Sequence, residues 1–376
     1  MKSKPTAIDL FCGVGGMSLG FEQAGFNVLA AFDKERFNVA THKKNFPRTR
    51  AFEVDLAKQT GQSIRELAGA ENKEIDVVFG GPPCQGFSIG GRQEKGDERN
   101  LLVYEFARLV RQIRPAYFVF ENVRGLMFER STAVRNSLVR RLRLAGYHVV
   151  DPIQILNARE FGVPQRRERV FIIGCRKGLA IPEYPLPEGC FDEYGNESFP
   201  TVRDAIWDLP KLDGRLKFFS TDEVNPRYKK TVSTYARLMR GDLKAFDDVS
   251  SRRQNELKLL TGCMLTQHSP EIIERFAKTP QGGVDKVSRY MRLSWGDVAP
   301  TLRAGTGVER GSHTAPRPIH PASPRCITTR EAARLHSFPD WFQFYGTRWH
   351  DFRQIGNSVP PMLAKAVAAK IRPLVS

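Results

Sequence analysis

Short stretches of this 376-residue chain hold the residue types that do chemistry. The first is Phe11-Cys12-Gly13-Val14-Gly15-Gly16, where an apolar run gives way to a helical pattern. Glycines at such a turn let backbone N–H groups approach a ligand closely. It is not the dinucleotide fingerprint, because Ser18 stands where GxGxxG from Gly13 needs glycine, and there is no Walker lysine. Asp33 closes the next apolar run, where a carboxylate can accept hydrogen bonds from both hydroxyls of a ribose. Asp55 closes a third and is placed to meet an adenine amino group. This set suits an adenosine-bearing cofactor. The competing reading is a tight βα turn with two capping acids.

The second stretch is Gly81-Pro82-Pro83-Cys84-Gln85-Gly86. Two prolines stiffen the turn and hold Cys84 at a strand end. A thiolate fixed near backbone N–H groups is a strong, soft nucleophile. Otherwise Cys84 is a small buried hydrophobe, as most cysteines are. The third stretch is Glu121-Asn122-Val123. A carboxyl at a buried strand end keeps its proton to higher pH and can act as an acid, whereas a solvated loop glutamate cannot. The fourth is Gln165-Arg166-Arg167-Glu168-Arg169. On a strand, Gln165, Arg167 and Arg169 share a face and could hold a carbonyl oxygen or a phosphate. A charged edge strand is the alternative.

The elements that must position these residues alternate. Strands are expected at Thr6–Phe11, Asn27–Phe32, Ile75–Gly80, Ala116–Phe120, Tyr147–Leu156 and Val170–Gly174, with a short one ending near Val54-Asp55. Helical spacing falls between them, as in Leu101–Ile113 and Ala133–Ala145. The pattern predicts an α/β fold with a mostly parallel sheet covered on both faces. Ligands of such sheets bind outside the carboxyl ends of the strands, which is where all the punctuating polar groups fall. A Pro- and Gly-containing linker occupies 178–200, and 201–325 shows no sustained periodicity. Helices return at Thr328–Phe338 and Pro361–Ile371.

Composition narrows the class. With 41% hydrophobic residues the chain can bury a core and is not a disordered tail. The formal charge of +17 points to a polyanion, most often nucleic acid. Residues 1–100 are nearly neutral, whereas 251–376 hold 19 basic and 9 acidic side chains, mostly Arg among the basic ones. Guanidinium forks suit phosphates and guanine edges. The six cysteines form no CxxC and the seven histidines no HxxxH, so no metal site is expected. The first ten residues lack a signal-peptide core, and no apolar run reaches membrane-spanning length. A cytoplasmic protein with reduced thiols and no membrane contact is expected.

Taken in order, DLFCGVGGMSLGF (9–21), GGPPCQGFS (80–88), ENV (121–123), QRRER (165–169), REAARLHSFPD (330–340) and QIGNSVPP (354–361) resemble the motifs of DNA cytosine-5 methyltransferases. The resemblance leaves out only about 200–325. It implies a Rossmann-like S-adenosylmethionine-dependent methyltransferase fold with a smaller, irregular target-recognition domain. The expected division is 1–200 for the large catalytic domain, 201–325 for recognition and 326–376 for a return to the large domain.

The resemblance also implies roles. Cys84 would add to C6 of cytosine, Glu121 would protonate or hydrogen-bond N3, and Arg169 with Arg167 beside it would hold O2. S-adenosylmethionine, leaving as S-adenosylhomocysteine, would lie on Phe11, Gly13, Gly15 and Gly16. Its ribose would meet Asp33 beside Lys34, and its adenine Asp55 and Leu56. Pro83 and Asn357-Ser358-Val359 would complete the pocket. The base must leave the duplex to reach Cys84. Pro300-Thr301-Leu302-Arg303-Ala304 resembles the recognition domain's Thr-Leu element. Arg289, Arg292, Arg303 and Arg310 are candidate groove contacts from charge and position. A monomer acting on double-stranded DNA is expected, and the compact length suggests a bacterial restriction–modification enzyme paired with an endonuclease. Family members that methylate transfer RNA are the alternative; the 125-residue recognition segment and the QRRER form favour DNA. A non-catalytic relative would be expected to lack Cys84 or Glu121, and a nucleotide-dependent oxidoreductase fails on the glycine spacing.

Overall fold

The structure is a computed structural model that describes residues 4–83, 101–187, 199–212, 216–230, 233–243, 248–250, 259–305 and 317–375. Cys84 and Arg310 therefore lie outside the described residues.

Eight strands form one sheet: β1 (Thr6–Leu10), β2 (Asn27–Asp33), β3 (Arg50–Glu53), β4 (Val77–Gly80), β5 (Tyr117–Val123), β6 (Tyr147–Val149), β7 (Gln154–Asn157) and β8 (Glu168–Arg176). Their order is β3-β2-β1-β4-β5-β8-β6, with β7 also on β8. From β3 to β5 every pairing is parallel, and β8 joins antiparallel to β5. The expected single strand over 147–156 is two strands. Pro152 supplies no backbone N–H there, so the ladder breaks between β6 and β7.

The period of two along each strand decides what each face carries. Ile8 and Leu10, Phe118 and Phe120, and Val170 and Ile172 bury against α3 (Gly61–Ala68), α4 (Leu101–Ile113) and α5 (Thr132–Leu144). Ala7, Tyr117, Val119, Phe171 and Ile173 bury on the other face, against α1 (Gly16–Gln23) and α11 (Pro361–Ile371). By the same alternation Asp9, Glu121 and Arg169 project toward the α1 and α11 side.

Helix α11 comes from the far end of the chain yet lies along α1. A Cβ on Gly20 would run into Ala364, Lys365 and Pro361, so glycine is what lets the two backbones approach. The segment from 201 onward is built of short capped pieces: α6 (Val202–Ile206), α7 (Thr234–Arg240) and α8 (Pro270–Lys278). The apolar side chains of α6 and α7 share one cluster with α9 (Thr329–Leu335), α10 (Arg348–Asn357) and the N-terminal Val14, Leu19 and Phe46, whereas Phe276 of α8 packs separately with Ile319 and Cys326. The larger cluster runs across the expected 325/326 boundary.

Buried charge ties the same pieces together. Arg334 donates to both oxygens of Asp340 at 2.6 Å and reaches Asp208 at 3.2 Å. Arg325 makes a two-pronged bond to Glu331, which also accepts from Thr328 N in the capping box that opens α9. Of these acids, Asp340 and Glu331 are held below the ordinary carboxylate range by the guanidinium groups bonded to them, Glu331 at about 2.

Candidate active site

A cavity of about 330 Å³ opens at the carboxyl ends of β1 to β5, within the size range of small-molecule sites. Its floor is the Gly turn after β1. Phe11 adopts φ 62°, a left-handed conformation that is rare for a bulky side chain. Strain of this kind persists where surrounding structure enforces it, often around ligands. Gly13 follows with φ 53° and open space where a Cβ would stand. Gly16 packs so closely on Ser358 and Val359 that no side chain fits between them. The start of α1 is thereby fastened to the Asn357-Ser358-Val359 loop.

Asp33 ends β2 beneath this turn. Its carboxylate accepts from Gly13 N at 2.9 Å, Glu35 N at 2.8 Å and Asn38 Nδ2 at 3.3 Å. Burial pushes its pKa up, and the backbone bonds oppose that shift. Asp55 caps the turn after β3 by accepting from Ala57 N. Asp33, Lys34, Asp55 and Leu56 all line the cavity. An open face above Gly13, a buried carboxylate with spare acceptor positions and an apolar ring at Phe11 fit the adenosyl part of S-adenosylmethionine.

The opposite wall carries the other chemistry. Pairing of β5 with β8 sets Glu121 opposite Phe171, and Arg169 opposite Val123. Both charged side chains face the same side, and Arg169 Nε meets Glu121 Oε1 at 3.0 Å. Burial raises the Glu121 pKa, while Arg169 and then Arg167 pull it down. Gly81 leaves room for Glu121 Oε2, and Asn122 Nδ2 donates to Pro82 O at 3.1 Å. The Pro-Pro turn that leads to Cys84 is thus locked to the end of β5, and Pro83 lines the cavity. The described thiol on the cavity wall is Cys12, whose pKa burial raises well above the ordinary value, so it stays protonated.

Most of the expected residues converge here: Phe11, Gly13, Gly16, Asp33, Lys34, Asp55, Leu56, Pro83, Glu121, Arg169, Asn357, Ser358 and Val359 share the cavity. Three assignments change. Arg167 does not reach it: this guanidinium is fully buried and donates to the carbonyls of Leu302, Gly356 and Ser358. Gln165 and Arg167 precede β8 and are buried under these other segments, so the shared strand face ends at Arg169. Gly15 faces Phe46 and His42 and serves as the left-handed cap of α1. Arg292 is a brace, donating to the carbonyls of Phe276, Ala277, Thr279 and Pro321. Arg289 and Arg303 are exposed.

Asp9 is the residue sequence reasoning missed. It lines the cavity, and Ser18 Oγ donates to its Oδ2 at 2.6 Å. His42 Nε2 lies 3.1 Å from Ser18 Oγ. Burial raises the Asp9 pKa well above the ordinary value. An acid inside the apolar run Thr6–Phe11 was the available signal. Among the described residues no cluster of His, Cys, Asp or Glu could hold a metal ion, and no helix is long and apolar enough to cross a membrane.

The profile of C-5 cytosine-specific DNA methylases matches residues 6–372. The chain belongs to that family. It is a DNA cytosine-5 methyltransferase. Type II methyltransferase M.XorII of Xanthomonas oryzae pv. oryzae is 46% identical over 369 residues, covering 98% of this chain and 85% of the relative. M.AgeI of Thalassovita gelatinovora is 33% identical, covering 98% and 99%. Among solved structures, a prophage-encoded E. coli protein described as a DNA modification methyltransferase superposes with a TM-score of 0.81. It is 34% identical and covers 98% of this methyltransferase and 99% of its own chain. Spodoptera frugiperda DNMT2, 19% identical with a TM-score of 0.53, shares the fold.

Proposed function

We propose that the methyltransferase methylates C5 of a cytosine flipped out of duplex DNA through a covalent Cys84–C6 intermediate, and that it is the modification enzyme of a restriction–modification system. The observation that carries this reading is the Glu121–Arg169 pair on the cavity wall facing Asp33 and Phe11. It sets an acid and a fixed cation side by side, as N3 and O2 of a cytosine require.

The thiolate of Cys84 adds to C6. As that bond forms, Glu121 donates its proton to N3 and Arg169 holds O2, so the ring's electrons gather at C5. S-adenosylmethionine, when bound, would supply the electrophilic methyl for C5, with S-adenosylhomocysteine as the product. Loss of the C5 proton to a base then expels Cys84 as its thiolate, and N3 returns its proton to Glu121, which restores the neutral aromatic ring. Phe11, Gly13 and Gly16 would cradle the methyl donor, Asp33 would hold its ribose beside Lys34, and Asp55 and Leu56 would hold its adenine. Pro83, Asn357, Ser358 and Val359 close its pocket. Residues 201–325 read the target, with Arg289 and Arg303 at the DNA. The names of the Type II relatives support the restriction–modification role.

A duplex carrying 5-fluorocytosine tests the chemistry. Fluorine cannot leave C5 as a proton does, so methyl transfer should stop with the protein bonded to DNA. A band surviving denaturing electrophoresis is expected with the native chain and none with Cys84→Ala. An adduct that persists in Cys84→Ala would remove Cys84 from the mechanism.

A further inference from the structure

Arg167 is fully buried yet lies outside the cavity, and two segments far apart in sequence converge on its guanidinium. On one side is the strip 299–304. Ala299 N donates to Pro164 O and Arg166 N to Ala299 O, a short parallel bridge. Thr301 Oγ1 donates to Arg166 O at 2.6 Å, Leu302 N to Gln165 Oε1 at 3.1 Å, and Arg167 Nη1 to Leu302 O at 3.0 Å. On the other side is the cavity wall 356–358. Arg167 Nη2 donates to Gly356 O and Ser358 O, both at 2.7 Å.

His336 closes the clasp. Gln165 Nε2 donates to His336 Nδ1 at 3.0 Å, which leaves Nε2–H to donate to Ser358 O at 3.0 Å. The strip and the wall also touch directly, since a Cβ on Gly356 would strike the backbone of Arg303 and Ala304. The exposed Arg303 side chain is on this strip. A guanidinium is rigid and planar, so one cannot move the Leu302 carbonyl away without breaking a buried bond or dragging Gly356 and Ser358 along.

We infer that Arg167 is a positioning residue that couples the strip 299–304 to the wall 356–358, so that duplex DNA and the adenosyl ligand each tighten the binding of the other. This rests on the proposed function, because it takes the strip as part of the DNA-reading segment and the cavity as the adenosyl site. Linkage makes the effect reciprocal, and couplings of this kind commonly run from about 5- to 150-fold.

The test is equilibrium dialysis of labelled S-adenosylhomocysteine, alone and with saturating sheared, unmethylated genomic DNA, which carries every short sequence. In the native chain the DNA should tighten binding about tenfold. Arg167→Lys keeps the charge but loses the fork, and should bring that ratio to within about twofold of unity. Thr301→Val frees the strip without entering the core and should also lower the ratio, which covers the case that Arg167→Lys does not fold. A purely structural role for Arg167 would weaken ligand binding equally with and without DNA. An unchanged ratio in the folded variants, or a ratio of one in the native chain, overturns the coupling. Failure of the native chain to bind S-adenosylhomocysteine at all overturns the assigned cofactor, and the coupling with it.

Discussion

In the proposed mechanism Glu121 holds a proton beside a cation that favours losing it. Burial raises its pKa and the Arg169 contact at 3.0 Å opposes the rise. Glu121→Gln keeps the shape and the contact with Arg169 but has no proton to give. Steady-state kinetics should show turnover lower by about 10²–10⁴-fold, with S-adenosylhomocysteine affinity changed little. Unchanged turnover would mean that N3 is served by another group. Asp351 is a second buried acid, outside the cavity. Burial and the neighbouring Asp222 raise it to about 7, although Thr329, Arg317 and Arg330 oppose the shift, and its Oδ1 has no hydrogen-bond partner among the described residues. Its folded pKa lies above the unfolded one. The stability it contributes is complete below about pH 4 and is lost as pH rises toward 7. Asp351→Asn should therefore stabilise the protein at pH 8 by on the order of 2 kcal/mol, and by much less at pH 4.5. Urea midpoints at the two pH values check this, and equal shifts at both would exclude a titrating Asp351. Glu121 and Asp33 were legible in the sequence because each ends an apolar strand. The clasp role of Arg167 was not, because its partners are backbone carbonyls, which every residue has.

At the scale of elements, the close contact of α1 with α11 is the seam that brings the loop at 357–359 over the Gly turn. Gly20→Ala adds a methyl where Ala364, Lys365 and Pro361 already sit. Overpacking should cost about 1–3 kcal/mol, outweighing the gain of up to about 1 kcal/mol in helix propensity. Gly296→Ala has open space around its Cβ and should be near neutral. Thermal unfolding of both variants compares them directly; a Gly20→Ala protein as stable as Gly296→Ala would mean that the seam adjusts freely. The central strands were readable because they are buried on both faces and so appear as unbroken apolar runs. Helix α10 was not readable. Its sequence RWHDFRQIGN mixes charge and aromatics without a clear apolar stripe. Helices α6 and α7 are short, and they bury their few apolar side chains against distant parts of the chain.

For the whole molecule, the charge of +17 is carried mainly beyond the first 100 residues, outside the stretch that holds most of the proposed adenosyl site. Duplex binding should therefore weaken steeply with salt while binding of S-adenosylhomocysteine does not. If about six phosphates are neutralised, DNA affinity should fall by about 10³-fold between 50 and 200 mM salt. Filter binding across that range measures the slope, and a flat response would place the basic excess away from DNA.

The seam between α1 and α11 also sets a timetable. The ribosome releases residues 16–23 long before it makes 361–371. At roughly 5–20 residues per second, the first helix waits about 17–70 s for its partner. Until then the apolar side chains that α1 turns toward α11 lack their cover. A chain that ends before residue 361 would leave that face of α1 uncovered and the loop at 357–359 without the helix that seats it over the Gly turn.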